Sequence, residues 1–203
     1  MNPPSTPHVA IVLAGGGSRR LGAPKQLLMR GGETLVHRAV WLASATLPQR
    51  TLVMVGAHAD EVSEAVADLP AEIRLNEQWQ EGLASSLRMA AGMLGGNQRA
   101  LILGCDQPAL ELSHLQRLLA GATASASGCA ATLHGEARGV PAVVSAAVLG
   151  EARDLRGDRG LRGALQRLPA DSVYLMEAVE LEFDLDTLAE VEKAVGEGLI
   201  DSL

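Results

Sequence analysis

The stretch HVAIVLAGGGSRRLGAPKQLL, residues 8 to 28, indicates how the chain begins to fold. Its first seven residues form an apolar run that opens onto consecutive glycines, the pattern of a buried strand that ends in a tight turn. A helix is expected from about Thr34, because its hydroxyl can cap the amides of TLVHRAVWLASAT, where apolar residues recur along one face. The chain therefore begins with a strand that is followed by a helix.

The same alternation continues to about residue 122. Apolar runs at 51–57, 72–76 and 100–106 predict strands, and the stretches between them, at 59–69, 82–94 and 112–122, predict helices. Parallel strands need crossover connections, which such helices supply on both faces of a sheet. We therefore predict a three-layer α/β/α fold with a mostly parallel, doubly wound, Rossmann-like sheet.

Shorter pieces follow after residue 125. The two strands predicted around RGVP, residues 138 to 141, indicate either a small antiparallel addition or a flap over the edge of the sheet. Because the chain shows no internal repeat or long linker, we expect residues 1–7 to form a flexible tail and residues 8–203 a single domain. The remaining predicted elements are strands at 172–177 and 181–185 and helices at 148–155, 160–168 and 187–199.

Composition limits the classes of protein to which the chain can belong. Its 203 residues are 47% hydrophobic and 20% charged, enough to bury a core, whereas the 2% aromatic share leaves too few rings for stacking on single-stranded nucleic acid. The net charge of −7 arises in residues 177–203, which hold nine acids and one base, and the rest holds 15 acids and 16 bases. We expect no nucleic acid partner, because its backbone requires a basic face.

Two further features concern redox chemistry and location. Cys105 and Cys129 are too few for a disulfide framework and too far apart for a CxxC pair. The N-terminal MNPPSTP lacks a charged segment followed by an apolar one, and no apolar run reaches the roughly 18 residues of a membrane span. We therefore expect a cytoplasmic protein without a membrane partner.

The glycine turn predicts an anion-binding site. Gly15 to Gly17 let backbone amides approach a ligand, and Arg19, Arg20 and Lys25 follow closely. A dinucleotide fingerprint would need a glycine at position 20, and a Walker A loop would need its lysine before position 25. Lys25 is one of two lysines beside 15 arginines, which indicates a need for its compact ammonium. These features favour a polyphosphate ligand over an ordinary turn with solvated charges.

Carboxylates predict a metal site. Asp106 stands at the end of an apolar strand, at the edge of an open α/β sheet where ligands bind. It can hold Mg²⁺, which takes one or two protein oxygens together with substrate phosphates, or it caps the next helix. In EFDLDT, residues 182–187, alternation predicts a strand with Glu182, Asp184 and Asp186 on one face. Asp184 is the favoured second ligand.

An arginine-rich segment completes the candidate residues. Arg156, Asp158, Arg159 and Arg162 stand close together, and the glycines between them permit a tight anion-binding turn. A solvated helix start is the alternative reading of the same residues.

These segments, in this order, resemble the molybdenum cofactor cytidylyltransferases, which are MobA-like nucleotidyltransferases with a fold of the nucleotide-diphospho-sugar transferase type. The glycine loop resembles the signature shared by the enzymes that activate sugars, isoprenoid precursors and molybdopterin. Leu21 departs from the methionine common in the family, and Val140 from its usual polar residue. The other similar segments are NEQWQEGLASSLR (76–88), GCDQP (104–108), RGVP (138–141), LRGDRGLRGAL (155–165) and FDLDT (183–187).

The resemblance implies a role for each matching residue. Arg19, Lys25 and Asp106 would be catalytic, and Mg²⁺, or Mn²⁺ in its place, would be bound by Asp106 with Asp184 or Asp186. The implied nucleotide-binding residues are Leu13, Ala14, Gly15, Gly16, Gly17, Ser18, Arg19, Lys25, Asn76, Gly82, Ser86 and Asp106. The implied acceptor-binding residues are Arg138, Gly139, Asp158, Arg159 and Arg162.

The reaction implied is transfer of CMP from CTP to the terminal phosphate of molybdopterin, or of its metal-loaded form, with release of pyrophosphate. Residues 76–88 lack the proline- and glycine-rich sequence of the guanylyltransferase relatives, which favours CTP over GTP. Two alternatives stay open. One is guanylyl or other nucleotidyl transfer to a phosphorylated acceptor, and the other is a noncatalytic carrier that delivers molybdenum cofactor to a molybdenum hydroxylase.

Overall fold

The apolar runs of the sequence form strands, as predicted, in a computed structural model that describes residues 7–96 and 98–202. The predicted tail at residues 1–7 lies outside this described part except for Pro7. The strands are β1 (His8–Ala14), β2 (Met29–Arg30), β3 (Glu33–Thr34), β4 (Arg50–Val55), β5 (Glu72–Leu75), β6 (Arg99–Gly104), β7 (Cys129–His134), β8 (Ala137–Ser145) and β9 (Val173–Glu177).

Helices connect most of these strands. The one predicted at 59–69 ends early at Glu64, and the one predicted at 82–94 ends at Ala91. No helix of the described residues is long and apolar enough to cross a membrane. The helices are α1 (Leu35–Ala45), α2 (Ala59–Glu64), α3 (Leu83–Ala91), α4 (Leu112–Ala124), α5 (Ala146–Gly150), α6 (Arg162–Arg167) and α7 (Leu188–Gly196), with 3₁₀ turns at Lys25–Leu27, Trp79–Glu81, Glu151–Asp154, Ala170–Ser172 and Val179–Leu181.

The main sheet has seven strands in the order β5-β4-β1-β6-β8-β7-β9. The first four are parallel to one another, β8 is antiparallel to both β6 and β7, and β9 is parallel to β7. The predicted antiparallel addition around RGVP is therefore an interior part of the main sheet, and the alternative of a flap over the edge is wrong. Strands β2 and β3 form a separate two-stranded sheet, which the sequence pattern did not predict.

Helices cover both faces of this sheet. Along β1, Ala10 and Val12 face a core built with α1, α2 and α4, whereas Val9 and Ile11 face a core built with α3, α5 and α6. Alternate side chains of a strand point to opposite faces, so an unbroken apolar run is what a sheet buried on both sides requires. The predicted three-layer α/β/α fold is confirmed.

The strand predicted over 182–187 does not form. Residues 182–186 run irregularly from the 3₁₀ turn at Val179–Leu181 to α7. Leu185 is buried, and its N–H donates to the main-chain carbonyl of Asp106 at 3.1 Å instead of joining a sheet neighbour. Thr187 then begins α7 by accepting from the N–H of Glu190, whose carboxylate accepts in return from the N–H of Thr187. This backbone bond links the segment that carries Asp184 and Asp186 to the turn that carries Asp106.

Candidate active site

The glycine loop follows β1 at the carboxyl edge of the parallel strands. The side-chain Nε2 of Gln26, a residue only 1% exposed, donates to the carbonyl oxygens of Ala14 at 3.0 Å and Gly16 at 2.6 Å. The carbonyl of Gly15 accepts from the N–H of Ala57 at 3.2 Å. Ser18 has a φ of 46°, and its hydroxyl accepts from the N–H of Lys25 at 3.1 Å. Residues of the 3₁₀ turn at Lys25–Leu27 thus fix the conformation of the loop through these hydrogen bonds.

Lys25 joins this loop to two carboxylates. Its Nζ donates to Asp106 Oδ2 and to Asp186 Oδ1, each at 2.7 Å, and Arg20 Nη2 donates to Asp186 Oδ2 at 2.6 Å. Burial alone would lower the pKa of Lys25, but the two carboxylates outweigh it and raise the pKa above its ordinary value. Partial burial likewise opposes ionisation of Asp186, but Lys25 and Arg20 hold its pKa below the usual range. Lys25 and Asp186 are therefore both charged at neutral pH.

Asp184 is in a different electrostatic position. Its pKa is raised to about 7, first by loss of solvation in the cleft and then by the negative charge of Asp106, and the nearby Lys25 offsets these effects only in part. The carboxyl group keeps contact with solvent at the cleft rim, where a ligand can reach it.

Cys105 is buried beside Asp106, as expected, and burial raises the pKa of its thiol to about 12, so it stays protonated.

The carboxylates fit a divalent cation. The raised pKa of Asp184 shows that the negative charge of Asp106 beside it is only partly offset by Lys25, and carboxylate oxygens are the donors that Mg²⁺ and Mn²⁺ accept. Within residues 7–96 and 98–202, no three His, Cys, Asp or Glu side chains form a complete metal site. The residues therefore suit an ion that takes one or two carboxylates from the protein and further oxygens from substrate phosphates and water.

A cavity of about 560 Å³ opens in front of the glycine loop. Arg19 lines it and is exposed, with no hydrogen bond or ion pair in the described part of the chain. An unpaired guanidinium facing a cleft can bind an anionic ligand. Of the predicted nucleotide residues, those lining this cavity are Leu13, Gly15, Gly16, Gly17, Ser18, Arg19, Lys25, Gly82, Ser86 and Asp106.

Two predicted nucleotide residues act from behind the cavity wall. Ala14 is buried and reaches the site only through its carbonyl, which Gln26 binds. Asn76 is also buried, and its Nδ2 donates to the hydroxyls of Ser85 at 2.7 Å and Ser86 at 3.0 Å. Asn76 does not line the cavity itself. It orients Ser86, which does.

Trp79 forms part of the same cavity wall and was missed from the sequence. A Cβ added at Gly17 would lie 2.9 Å from Trp79 Cζ3, and one added at Gly56 would lie 2.5 Å from Trp79 Cβ. Glycine is needed at both positions because the indole packs directly on the backbone. The lone tryptophan within the motif at 76–88 was the available signal, but only the fold brings it to the glycine loop.

A second cavity, of about 1000 Å³, adjoins the first. Arg159 and Arg162 line it, are exposed, and have no hydrogen bond or ion pair in the described ranges. Gly139, Asp158 and Asp184 line it as well. Asp106 lines both cavities and so stands where they meet.

Arg138, which the resemblance implies as an acceptor-binding residue, is buried within the fold. The residue is 7% exposed, and its Nη1 donates to the carbonyl oxygens of Leu165 at 2.7 Å and Leu168 at 2.8 Å, at the end of α6. Helix C-termini leave carbonyls without partners, and a cation is favourable there. The guanidinium is thus bound to the end of α6 and lines neither cavity, whereas the neighbouring Gly139 does line the second cavity.

A glycine loop, a carboxylate cluster and two adjoining cavities at the carboxyl edge of an α/β sheet fit a nucleotidyltransferase. The chain belongs to the MobA-like NTP transferase family, because the sequence model of the MobA-like NTP transferase domain matches residues 10–173.

Comparison with solved structures and curated proteins agrees with this family. The crystal structure of Rv0371c from Mycobacterium tuberculosis H37Rv is 25% identical, with a TM-score of 0.78 over 94% of this chain and 99% of that one. Rv0371c has also been solved in complex with manganese, at 23% identity and a TM-score of 0.75 over 98% of this chain and 100% of that one. A nucleotidyl transferase from Methanothermobacter thermautotroptrophicus, Mth528, has a similar fold at 24% identity, with a TM-score of 0.76 over 94% of this chain and 97% of that one.

The bifunctional protein GlmU of Burkholderia mallei (strain SAVP1) is 33% identical over 117 residues. The match covers 57% of this chain and 26% of GlmU, so it spans about a quarter of that curated relative.

Proposed function

We propose that the protein transfers CMP from CTP to the terminal phosphate of molybdopterin, or of its metal-loaded form, with release of pyrophosphate in the cytoplasm. The observation that carries this proposal is the position of Asp106, which lines both cavities. Arg19 lies in one cavity, Arg159 and Arg162 lie in the other, and none of the three has a hydrogen bond or ion pair among the residues that the structure describes. Two anionic substrates can therefore meet at the carboxylate.

The first cavity suits the triphosphate of CTP. The loop amides, Arg19 and Lys25 offer positive charge to the phosphates, and preorganised donors of this kind stabilise a departing pyrophosphate. Asp106 with Asp184 or Asp186 would hold Mg²⁺ or Mn²⁺, which when bound neutralises phosphate charge. Gly82 and Ser86 would border the base and ribose, with Asn76 holding Ser86 in place.

The second cavity suits the acceptor. A phosphate monoester is already ionised near neutral pH, so its oxygen can attack the α-phosphorus without a general base. The new P–O bond forms as the bond to the β-phosphate breaks, and both electrons of the broken bond leave with pyrophosphate. Arg159 and Arg162 would bind the acceptor phosphate beside Gly139 and Asp158, and Val140 would present an apolar surface to the pterin.

The test is pyrophosphate release from CTP, GTP, ATP and UTP, each with Mg²⁺ and with or without molybdopterin. We expect release from CTP only when the pterin is present, and its loss in Asp106→Asn. Preference for GTP would replace the cytidylyl assignment by guanylyl transfer, and turnover with a different phosphorylated acceptor would replace the pterin. Binding of molybdopterin without turnover of any triphosphate would instead favour a carrier that serves a molybdenum hydroxylase.

A further inference from the structure

A single buried side chain determines the conformation of the glycine loop. The amide nitrogen of Gln26 bonds two carbonyls that are two residues apart, those of Ala14 and Gly16. The amide oxygen of the same side chain accepts from the hydroxyl of Ser18 at 3.3 Å. Every polar atom of this side chain thus bonds either the loop or Ala14, which is the last residue of β1.

These bonds fix the direction in which the loop amides point. A peptide unit is planar and trans, so its N–H points away from its C=O. Because the carbonyls of Ala14 and Gly16 point at Gln26, the N–H groups of Gly15 and Gly17 point to the opposite side. The intervening carbonyl, of Gly15, is held by the N–H of Ala57. Glycine backbone would otherwise sample many orientations, at an entropic cost when a ligand orders it.

We propose that Gln26 is a positioning residue that preorganises the loop for a polyphosphate. This inference rests on the proposed function, in which the loop binds a triphosphate. Gln26 need not touch the ligand, because it acts on the loop carbonyls and thereby on the amides. Its removal is expected to weaken binding of the phosphate chain and to leave binding at the second cavity unchanged.

The test is calorimetric titration of the whole chain with inorganic tripolyphosphate and Mg²⁺, a probe without a base. Gln26→Met keeps the side-chain length and removes both donated bonds, so we expect affinity to fall at least about tenfold. Thr46→Val is the matched control, because the Thr46 hydroxyl is also buried and bonds the carbonyl of Ala43 at 2.6 Å, but at the far end of α1. Its affinity for tripolyphosphate should match that of the wild type, although it too loses stability.

The outcomes separate this inference from the proposed function. If wild type binds no tripolyphosphate, the loop is not a triphosphate site and both fail. If wild type binds and Gln26→Met binds equally well, only the role of Gln26 is overturned. In turnover assays the KM for the nucleotide should rise in Gln26→Met while the KM for the acceptor stays constant, a difference that general structural damage would not produce.

Two further measurements cover the case in which Gln26→Met does not fold. Gln26→Glu keeps the volume and places an oxygen against the two carbonyls, so the same selective loss is expected from repulsion. In wild type, the side-chain amide protons of Gln26 should exchange slowly with solvent and shift on addition of tripolyphosphate. Fast exchange without a shift would overturn the proposal without any variant.

Discussion

Lys25 Nζ donates to Asp106 Oδ2 at 2.7 Å, across 81 positions of sequence. The bond joins the segment after the glycine loop to the turn after β6. The same ammonium also bonds Asp186 at 2.7 Å. One cation therefore holds together three segments that are far apart in the sequence. The charge of Lys25 is therefore both a structural tie and part of the proposed chemistry.

Replacement of Lys25 by methionine should affect stability and rate together. Lys25→Met leaves two partly buried carboxylates without their shared partner, and we expect a loss of about 1–3 kcal/mol in the free energy of unfolding. The transfer rate should fall about 100- to 1000-fold, the typical effect of removing one preorganised donor. Urea unfolding and steady-state kinetics measure the two effects.

Lys193→Met is the matched control, because Lys193 is the second of the chain's two lysines. Its exposed ammonium lies 3.8 Å from Glu197, a surface pair of small value. The ammonium also lies 4.9 Å from the centre of the Phe183 ring, so we expect a change within about 1 kcal/mol and no change in rate. Equal losses in the two variants would show that the Lys25 contacts contribute nothing specific.

Asp184 should make stability depend on pH. Its pKa is about 7 in the folded chain against 3.8 for an ordinary aspartate, so between these values the folded state binds the extra proton. By linkage, the stability contributed by this proton is full below about pH 4 and is lost as pH rises to about 7. Asp184→Asn removes this dependence and should be more stable than wild type at about pH 8, with a smaller difference at about pH 5.

Urea unfolding in the presence of EDTA measures this difference. Asp154→Asn changes an exposed carboxyl group far along the chain and serves as the control. A difference between Asp184→Asn and wild type that is the same at both pH values would contradict the raised pKa.

Gly82 should tolerate no side chain. Its φ is 98°, and a Cβ there would lie 2.5 Å from Asp158 Oδ1 and 2.6 Å from the backbone of Gly157. Gly82→Ala should therefore combine backbone strain of about 1–3 kcal/mol with a steric clash. Gly157→Ala is a close control, because Gly157 has a φ of 64° but open space around its Cβ position. Chemical denaturation should show the larger loss for Gly82→Ala, and the reverse order would exclude this packing.

Arg159 and Arg162, which line the second cavity and have no partner in the described part of the chain, should serve the acceptor alone. Arg159→Gln or Arg162→Gln each removes a charged donor, and we expect the KM for the acceptor to rise about tenfold with the KM for CTP unchanged. Arg156→Gln is the control, because Arg156 bonds the nearby carbonyls of Arg153 and Leu155. Initial-rate kinetics with each substrate varied in turn make the distinction, and a rise in the KM for CTP alone would assign the arginines to the nucleotide.

The hydrophobic pattern of the sequence was sufficient to predict the buried strands. The runs at β1, β4 and β6 are apolar on both faces because helices cover both sides of the sheet, and this signal is readable from sequence. The alternation in EFDLDT was misleading. Leu185 alternates with the acids because it is buried, but its N–H bonds the carbonyl of Asp106 and not a strand. A period of two shows which residues are buried and does not identify the hydrogen-bond partner.

The candidate site was predictable as a set of segments and less so residue by residue. Lys25 and Asp106 carry charges whose chemistry is visible in the sequence. Gln26 and Arg138 have roles that depend on carbonyls supplied by other parts of the fold, the glycine loop for one and the end of α6 for the other. Trp79 likewise matters through its contact with Gly17, which no spacing rule encodes.

The contact between Gly82 and Gly157 also bears on how such proteins diversify. The N–H of Ala84 bonds the carbonyl of Gly157 at 3.0 Å, and a Cβ at Gly82 would lie 2.6 Å from the same carbonyl oxygen. A mutation that reshapes one turn must therefore be accompanied by a change in the other. A descendant of this chain with a changed preference for one substrate would therefore also bind the second substrate differently. We expect the two substrate preferences to evolve together.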